Sequence, residues 1–544
     1  WGVGWHAKSI TENQATVSVD MEIQKHMAVQ SKLEVKASLY DAGNNLVASR
    51  TIAVNDREAG LSKVATELRV KNTHLWNLDE PYLYKLETDI LSDGQKIDGS
   101  KTRVGLRTLT FDADRGFALN GNWMKIKGVC LHHDAGVLGA VVPQEVWRRR
   151  LENLKAIGTN AIRMSHNPQA PVLYDLCDEM GLLVMDEVSD EWEFPKRKWI
   201  EGWNVGTPSY DGSFDFFEEW IEKDITDMVR HDRNHTSIFL WSIGNEVDYP
   251  NDPYSPPILN SSGITQPMFG GYNPDAPDAM RIGKIAKRLV ACVRAVDTSR
   301  PTTGALAGVV MSNETEYPDA VDVVGYNYTE NRYDMDHATY PKRVIYGSEN
   351  GRSRNAWLAV RDKDFIFGQF IWTGTDYLGE SGPWPSRGLG TGLLDFASFP
   401  KPNGYFRASM WSTSPMTYIG TYPVPAPRNG NGRTFLSPDA LDIWNYSLEQ
   451  KIRVVCYTNA AQARLLLNGK EIGEMKTYDD ESGIIWWDIP FRPGTLKAEG
   501  CDKDGNVISE YSITTSGRPY ALQVISDCSE LSKDKATHHS YSRR

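Results

Sequence analysis

Up to about residue 110 the chain alternates apolar and polar positions with a period of two. Ala15-Thr-Val-Ser-Val-Asp-Met-Glu-Ile, Leu33-Glu-Val-Lys-Ala-Ser-Leu and Lys63-Val-Ala-Thr-Glu-Leu-Arg-Val each put every second side chain on one face, as half-buried strands do. Turn residues, Asp41-Ala-Gly-Asn and Asp93-Gly94, separate such runs, and no helical stretch intervenes. Residues 1–110 therefore predict an immunoglobulin-like β-sandwich.

From about residue 117 the rhythm changes. Trp123-Met-Lys-Ile-Lys-Gly-Val-Cys reads as a strand, and 143–157 as a helix with Trp147, Leu151 and Leu154 on one face and Gly158 at its stop. Asn160-Ala-Ile-Arg-Met-Ser is the next strand; Val172, Leu176 and Met180 stripe a helix closed by Gly181. Leu182-Leu-Val-Met-Asp-Glu is the third strand. A helix over 214–230 leads to the fourth, Ser237-Ile-Phe-Leu-Trp-Ser-Ile-Gly-Asn-Glu. Ile282, Ile285, Leu289, Val293 and Val296 mark another helix, and shorter strands follow at 302–305, 321–327, 343–349 and 365–372. Eight strands with mostly helical connections across residues 111–410 predict a (β/α)8 TIM barrel. A doubly wound sheet would want a Gly-rich phosphate turn after its first strand, and Gly128-Val-Cys-Leu-His-His supplies none.

Beyond the barrel, residues 411–435 end in a Pro/Gly/Asn-rich run and read as a linker or long loop. Strand patterns resume at Lys451-Ile-Arg-Val-Val-Cys-Tyr and Ala463-Arg-Leu-Leu-Leu, with the hairpin pair Asn468-Gly469, so 436–517 predict a second immunoglobulin-like sandwich. Residues 518–544 open as a strand at Ala521 and turn polar, as the truncated start of a further domain or a tail would. The expected class is multidomain: a TIM barrel flanked by β-sandwiches.

Composition narrows the function classes. The 544 residues carry 59 basic and 71 acidic side chains, net −12, which excludes the basic footprint of a nucleic-acid binder. No run approaches the ~20 apolar residues of a membrane span. The six cysteines form no C-x-x-C pair, and Cys130, Cys177 and Cys292 sit in apolar runs as small core residues. Seventeen tryptophans fit either large cores or sugar stacking. The start at Trp1 reads as a removed leader or a cut inside a longer protein; a removed leader would favour a periplasmic or secreted location, and the compartment is otherwise open.

In a TIM barrel, chemistry sits where strands end. The predicted strands end at His132 and His133, at Arg163, Ser165 and His166, at Asp186 and Glu187, at Asn245 and Glu246, at Asn327 and Tyr328, at Glu349, and at Trp372. Two carboxylates, Glu246 and Glu349, thus end strands four and seven, across the barrel from each other. Retaining glycosidases need such a pair: one carboxyl protonates the leaving oxygen and later activates water, while the other attacks the anomeric carbon. His132-His133 lacks the His-x-His spacing of metal-dependent barrel hydrolases, so no metal is assigned. Asp186 and Glu187 read as structural hydrogen-bonders; Asp190, Glu191 and Glu193 have the reach to meet a sugar or an ion.

These residues also resemble a family. Lys127-Gly-Val-Cys-Leu-His-His-Asp, Asn160-Ala-Ile-Arg-Met-Ser-His-Asn-Pro, Trp241-Ser-Ile-Gly-Asn-Glu-Val, Tyr346-Gly-Ser-Glu-Asn and Trp76-Asn-Leu-Asp-Glu-Pro-Tyr are similar to motifs of glycoside hydrolase family 2 over roughly residues 1–517. The resemblance implies a retaining exo-β-glycosidase with Glu246 as acid/base and Glu349 as nucleophile. Asn245 would bond the sugar 2-hydroxyl, and Arg163 and Tyr328 would orient and charge-stabilise Glu349. His132 and His166 would hold hydroxyls, and Trp372 would floor the sugar subsite. It implies no cofactor for the chemistry; the Glu-x-His pattern that holds magnesium in some members reads Glu191-Trp-Glu193 here. The resemblance also implies a jelly-roll domain ahead of the first sandwich, and the sequence reads as opening just past it.

The implied partner is an oligo- or polysaccharide, with no nucleic acid and no membrane span; a homo-oligomer is left open. Leu393-Leu-Asp-Phe-Ala-Ser-Phe-Pro-Lys-Pro lacks the Asn-x-Lys pattern of glucuronide-acting members and resembles the β-galactosidase branch, which makes terminal β-galactosides the expected substrate. β-Glucuronidase, or a catalytically impaired carbohydrate-binding fragment, is the alternative. Arg352 and Arg354 read either as loop surface or as a reader of an anionic or substituted sugar.

Overall fold

The computed structural model describes residues 2–11, 13–195, 212–261, 271–425 and 435–521. Trp1, Cys528, most of the Pro/Gly/Asn-rich run (426–434) and all but the first residue of the strand expected from Ala521 lie outside the described residues. The chain forms two compact units. One takes in Trp1–His132, Asn160–Gly351 and Ala356–Ile371; the other holds His133–Thr159, Arg352–Asn355 and the chain from Trp372 on.

The first unit opens with a seven-stranded sandwich. Val3–Ile10, Gln14–Lys25 and Gly60–Lys71 make one sheet; Leu46–Ala53, Leu33–Tyr40, Tyr84–Ser92 and Gln95–Val104 make the other. The period-two pattern is realised directly, since Ala15, Val17, Val19, Met21 and Ile23 alternate inward onto Leu33, Val35, Ala37 and Leu39. Trp76 donates its indole N–H to the carbonyl of Asp178 on a barrel helix (2.8 Å), and Arg103 pairs with Asp175 and Glu179 there.

A closed barrel of eight parallel strands follows: Ile126–Leu131, Ala161–Met164, Leu183–Glu187, Ile238–Asn245, Thr302–Leu306, Val323–Asn327, Val344–Asn350 and Ile366–Ile371, each beside its sequence neighbour. The eight are buried almost throughout, which is why they read as near-continuous apolar runs. Helices Pro171–Met180, Phe217–Asp232 and Met280–Val296 follow strands two to four, while strand five is followed only by two short helical turns, Val309–Ser312 and Tyr317–Ala320.

One strand expectation is corrected. Trp123 to Cys130 is not a single strand: Asn122–Met124 belongs to a small antiparallel sheet with Leu109–Asp112 and Gly116–Leu119, and the barrel begins at Ile126. The break falls at Lys125, whose ammonium donates to the carbonyls of Lys363 (2.5 Å) and Ile366 (2.6 Å). This sheet floors the barrel's N-terminal end. Phe111 and Phe117 pack on Phe239 and Phe367, near the starts of strands four and eight, with ring centroids 5.5–6.2 Å apart.

In the second unit, helix Gln144–Ile157 ends at Gly158, whose φ of 102 lies in the left-handed region. The stretch 411–435, expected as linker, contains strand Thr417–Pro423, which pairs with Lys451–Thr458, itself beside Ile485–Pro490. Gln462–Leu467, Thr495–Cys501 and Val507–Thr514 form the facing sheet, around a core of Trp444, Val454, Leu465, Trp487 and Leu496. Cys130, Cys177, Cys456 and Cys501 are buried free thiols and Cys292 is half-buried. Trp76, Trp147, Trp192, Trp241, Trp411 and Trp444 are fully buried, so much of the tryptophan excess is core. Among the described residues no helix is long and apolar enough to cross a membrane.

Candidate active site

The polar residues that terminate the barrel strands converge, and Arg163 is the centre of the convergence. It stands on strand two with its side chain fully buried. Its Nη2 and Nε donate to the Glu187 carboxylate (2.9–3.3 Å), its Nη1 to Glu349 Oε2 (2.9 Å) and to the Ser348 carbonyl (2.9 Å), and its Nη2 also to Asn245 Oδ1 (2.7 Å). Burial alone would drain the guanidinium of its charge, but Glu187 and Glu349 outweigh it and push Arg163 up. Strands two, three, four and seven are thereby tied at one end of the barrel.

Glu187 is the permanent counter-ion. Burial would raise it, yet Arg163, His166 and Ser242 hold it down at about 2. His166 Nδ1 lies 2.6 Å from Glu187 Oε1 and Ser242 Oγ donates to Oε2 at 2.7 Å. His166 itself is pushed up, because Asp190 and Glu187 outweigh its burial. His132 sits edge-on to His166, with ring centroids 5.9 Å apart. Burial, and the nearby His166, push it down to about 3, so its imidazole is neutral at pH 7.

Asn245 ends strand four with its side chain used at both ends. Its Oδ1 accepts from Arg163 and from Asn327 Nδ2 (3.1 Å), and its Nδ2 donates to Asp190 Oδ1 (2.8 Å). Glu246 then turns the chain out of the strand with a φ of 47, its N–H donating to the Ala305 carbonyl (2.8 Å). Buried Asp248 pins this turn by accepting from the N–H groups of Ala307 (2.9 Å) and Gly308 (3.0 Å) and from Ser312 Oγ (2.6 Å). Position 308 must be glycine, because a Cβ there would stand 2.1 Å from the Asp248 carbonyl oxygen. Held in this way, the Glu246 carboxylate accepts from Asn327 Nδ2 at Oε1 (3.0 Å) and from the Tyr249 hydroxyl at Oε2 (2.7 Å).

Glu349 lies opposite on strand seven, buried, in register with Asn327 of strand six. Burial and then the Glu246 charge push it up, to about 7, while Arg163, His166 and a hydrogen bond from Tyr328 pull it down. Of the two carboxylates, Glu349 is the one with a guanidinium at 2.9 Å. The Tyr328 ring is 44% exposed, but its hydroxyl, turned in against Glu349, is pushed up by burial and by both carboxylates and remains a donor.

Glu246, Glu349, Asn245, Arg163, Tyr328, His132 and His166 are therefore neighbours in one network. Trp372 follows strand eight directly and packs edge-on to Tyr377 at 5.6 Å within the second unit. His133, also in that unit, packs against Trp147. Asp186 accepts from Tyr174 (2.7 Å) and is pushed well up by burial and by Asp232. Glu193 is held by Tyr254 (2.7 Å) and Arg281 (2.8 Å). Arg354 donates to the Glu481 carbonyl (3.3 Å), and the Arg352 carbonyl accepts from Arg407 (2.9 Å). Asp175, Asp178 and His235 bring ligand-type atoms within 4.8 Å of one another, but Arg103, the Ser237 N–H and their own His–Asp bond engage them. Sequence reasoning missed Tyr249 and undervalued Asn327 and Glu187. Asn327 was visible as a strand end; Tyr249 carried no signal, since a turn brings it back.

Three family descriptions match the chain: "Glycosyl hydrolases family 2, TIM barrel domain" over residues 113–316, "Glycosyl hydrolases family 2" over 3–107 and "Domain of unknown function (DUF4982)" over 449–509. The chain is 32% identical to beta-galactosidase BoGH2A of Bacteroides ovatus, over 98% of this chain and 65% of that protein. It is 30% identical to a putative beta-glucuronidase of Formosa agariphila, over 95% of this chain and 48% of that one. The crystal structure of a glycosyl hydrolase family 2 member from Bacteroides cellulosilyticus superposes with a TM-score of 0.81 at 31% identity, over 98% of this chain and 66% of its own. The chain thus spans less than two thirds of the length of these relatives.

Proposed function

Because the chain belongs to glycoside hydrolase family 2, we propose that it serves a retaining exo-β-glycosidase that removes terminal β-galactosides by double displacement. The observation that carries this reading is the bridge made by Arg163, which bonds Glu349 at 2.9 Å and Asn245 at 2.7 Å while Asn327 links Asn245 to Glu246. One carboxylate is thereby matched to a cation and the other to neutral donors, the asymmetry that a nucleophile and an acid/base require. In the first step Glu349 attacks the anomeric carbon as Glu246 protonates the departing oxygen; in the second Glu246 takes a proton from a water whose oxygen attacks the anomeric carbon and breaks its bond to Glu349. In this reading Asn245 meets the 2-hydroxyl, His132 and His166 meet other hydroxyls, and Trp372 stacks on the sugar.

The relative named a beta-galactosidase, and a segment 393–402 without the Asn-x-Lys pattern, support galactose. The relative named a putative beta-glucuronidase supports glucuronides as the second substrate class. Aryl galactoside, glucuronide, mannoside and glucoside offered in parallel separate them, the galactoside being turned over fastest. In the same assay Glu246→Ala should keep activity mainly on activated leaving groups. Equal loss on all leaving groups would remove Glu246 from the acid/base role.

A further inference from the structure

We propose that Tyr249 is a positioning residue for the acid/base, its hydroxyl orienting the Glu246 carboxylate and stabilising the charged form left after proton donation. This inference rests on the assignment of Glu246 as acid/base. The geometry is specific. Glu246 leaves strand four through a left-handed turn, which sends the chain past Asp248 and brings the residue three positions on back over the carboxylate. Asp248, tied to Ala307, Gly308 and Ser312, fixes the turn, so the Tyr249 hydroxyl does not need to be ordered by substrate.

The two Glu246 oxygens have different partners. Asn327 donates an amide N–H to Oε1 and has no second role open to it at that atom. Tyr249 donates an O–H to Oε2, and a hydroxyl accepts as readily as it donates. With Glu246 ionised, Tyr249 donates to it; with Oε2 protonated, the same hydroxyl can rotate and accept. Each of the two catalytic states of the carboxyl therefore has a matching partner.

Among the described residues, Glu349 on strand seven, Tyr328 after strand six and Asp248 on its own turn feel the Glu246 charge. Glu349 and Asp248 place like charge near it, and Tyr249 and Asn327 place donors on its two oxygens. Burial and the Glu246 charge push Tyr249 up, so it stays a neutral donor across the working range of pH.

Tyr249→Phe removes the hydroxyl and keeps the ring. On aryl glycosides with poor leaving groups kcat should fall roughly tenfold, the value of one hydrogen bond to a charged group, with little change on a dinitrophenyl leaving group. The alkaline limb of kcat/KM should move up by about one pH unit, because the carboxylate has lost a donor. Equal losses on all leaving groups with an unmoved limb would make Tyr249 a packing residue and overturn the proposal. Glu246→Ala in the same series separates the two ideas: if its losses ignore the leaving group, the acid/base reading falls and this inference with it. A carbon-13 titration of the glutamate carboxyls, with Glu246 identified by its loss in Glu246→Gln, reads the shift without turnover. A step that stays in place in Tyr249→Phe would also overturn the proposal.

Discussion

The two ends of the barrel are built from the same eight strands and from opposite chemistry. At the N-terminal end Phe111, Phe117, Phe239 and Phe367 close the floor ring against ring, with no polar atom to satisfy. At the C-terminal end Arg163, Glu187, Glu349, His166, Asn245 and Asn327 are almost as deeply buried and are joined by hydrogen bonds throughout. Apolar burial stabilises outright, whereas a buried ionic network barely repays its own desolvation. A fold that needed only stability would repeat the floor at both ends; the carboxylates persist where charge has work to do.

Substitutions at the two ends should therefore separate activity from stability. Glu349→Gln should lower turnover of an aryl β-galactoside by more than ~10⁴-fold, as loss of a nucleophile does. It should nevertheless melt higher than the parent at pH 8. The fold favours the neutral form of Glu349 up to about 7, so its contribution is full below the ordinary carboxylate range and is lost as pH rises through 7, a loss that Gln escapes. Phe117→Ala reverses the pattern: denaturant unfolding should show about 3–5 kcal/mol of lost stability, while kcat of the folded fraction stays near the parent value.

Acid brings out the ionic end. Glu187 is held at about 2 against an ordinary 4.5, so the stability it contributes is intact above pH 4.5 and is lost as pH falls toward 2, a drop of about 3 kcal/mol. Unfolding curves across that window should lose this increment in the parent and not in Glu187→Gln. The smallest effect is at the turn: Gly308→Ala should cost about 1–3 kcal/mol in thermal unfolding, because its Cβ meets a backbone oxygen that Asp248 holds in place.

How far the sequence reveals this architecture depends on whether the signal is local. Strand four is a continuous apolar run that ends at Asn245, so the element and the place of Glu246 just beyond it were legible. The sandwich strands were legible from their alternation. Thr417–Pro423 was not, because Pro and Gly crowd the chain after it and its partner, Lys451–Thr458, lies far along the sequence. The break at Lys125 depends on carbonyls some 240 residues away. Tyr249 was hidden for a similar reason: only the left-handed φ at Glu246 aims it at the carboxylate, and no local pattern announces that turn. Trp372 was named from its place after strand eight, and its stacking role remains a proposal.

In the proposed mechanism Glu349 attacks the sugar. Incubation with a 2-deoxy-2-fluoro-β-galactosyl fluoride, followed by proteolysis and mass measurement, tests it most directly. One added fluorosugar is expected on the peptide that contains Glu349, and none in Glu349→Gln. A label on Glu246 or on any other residue, or the same label in the Gln variant, would contradict it.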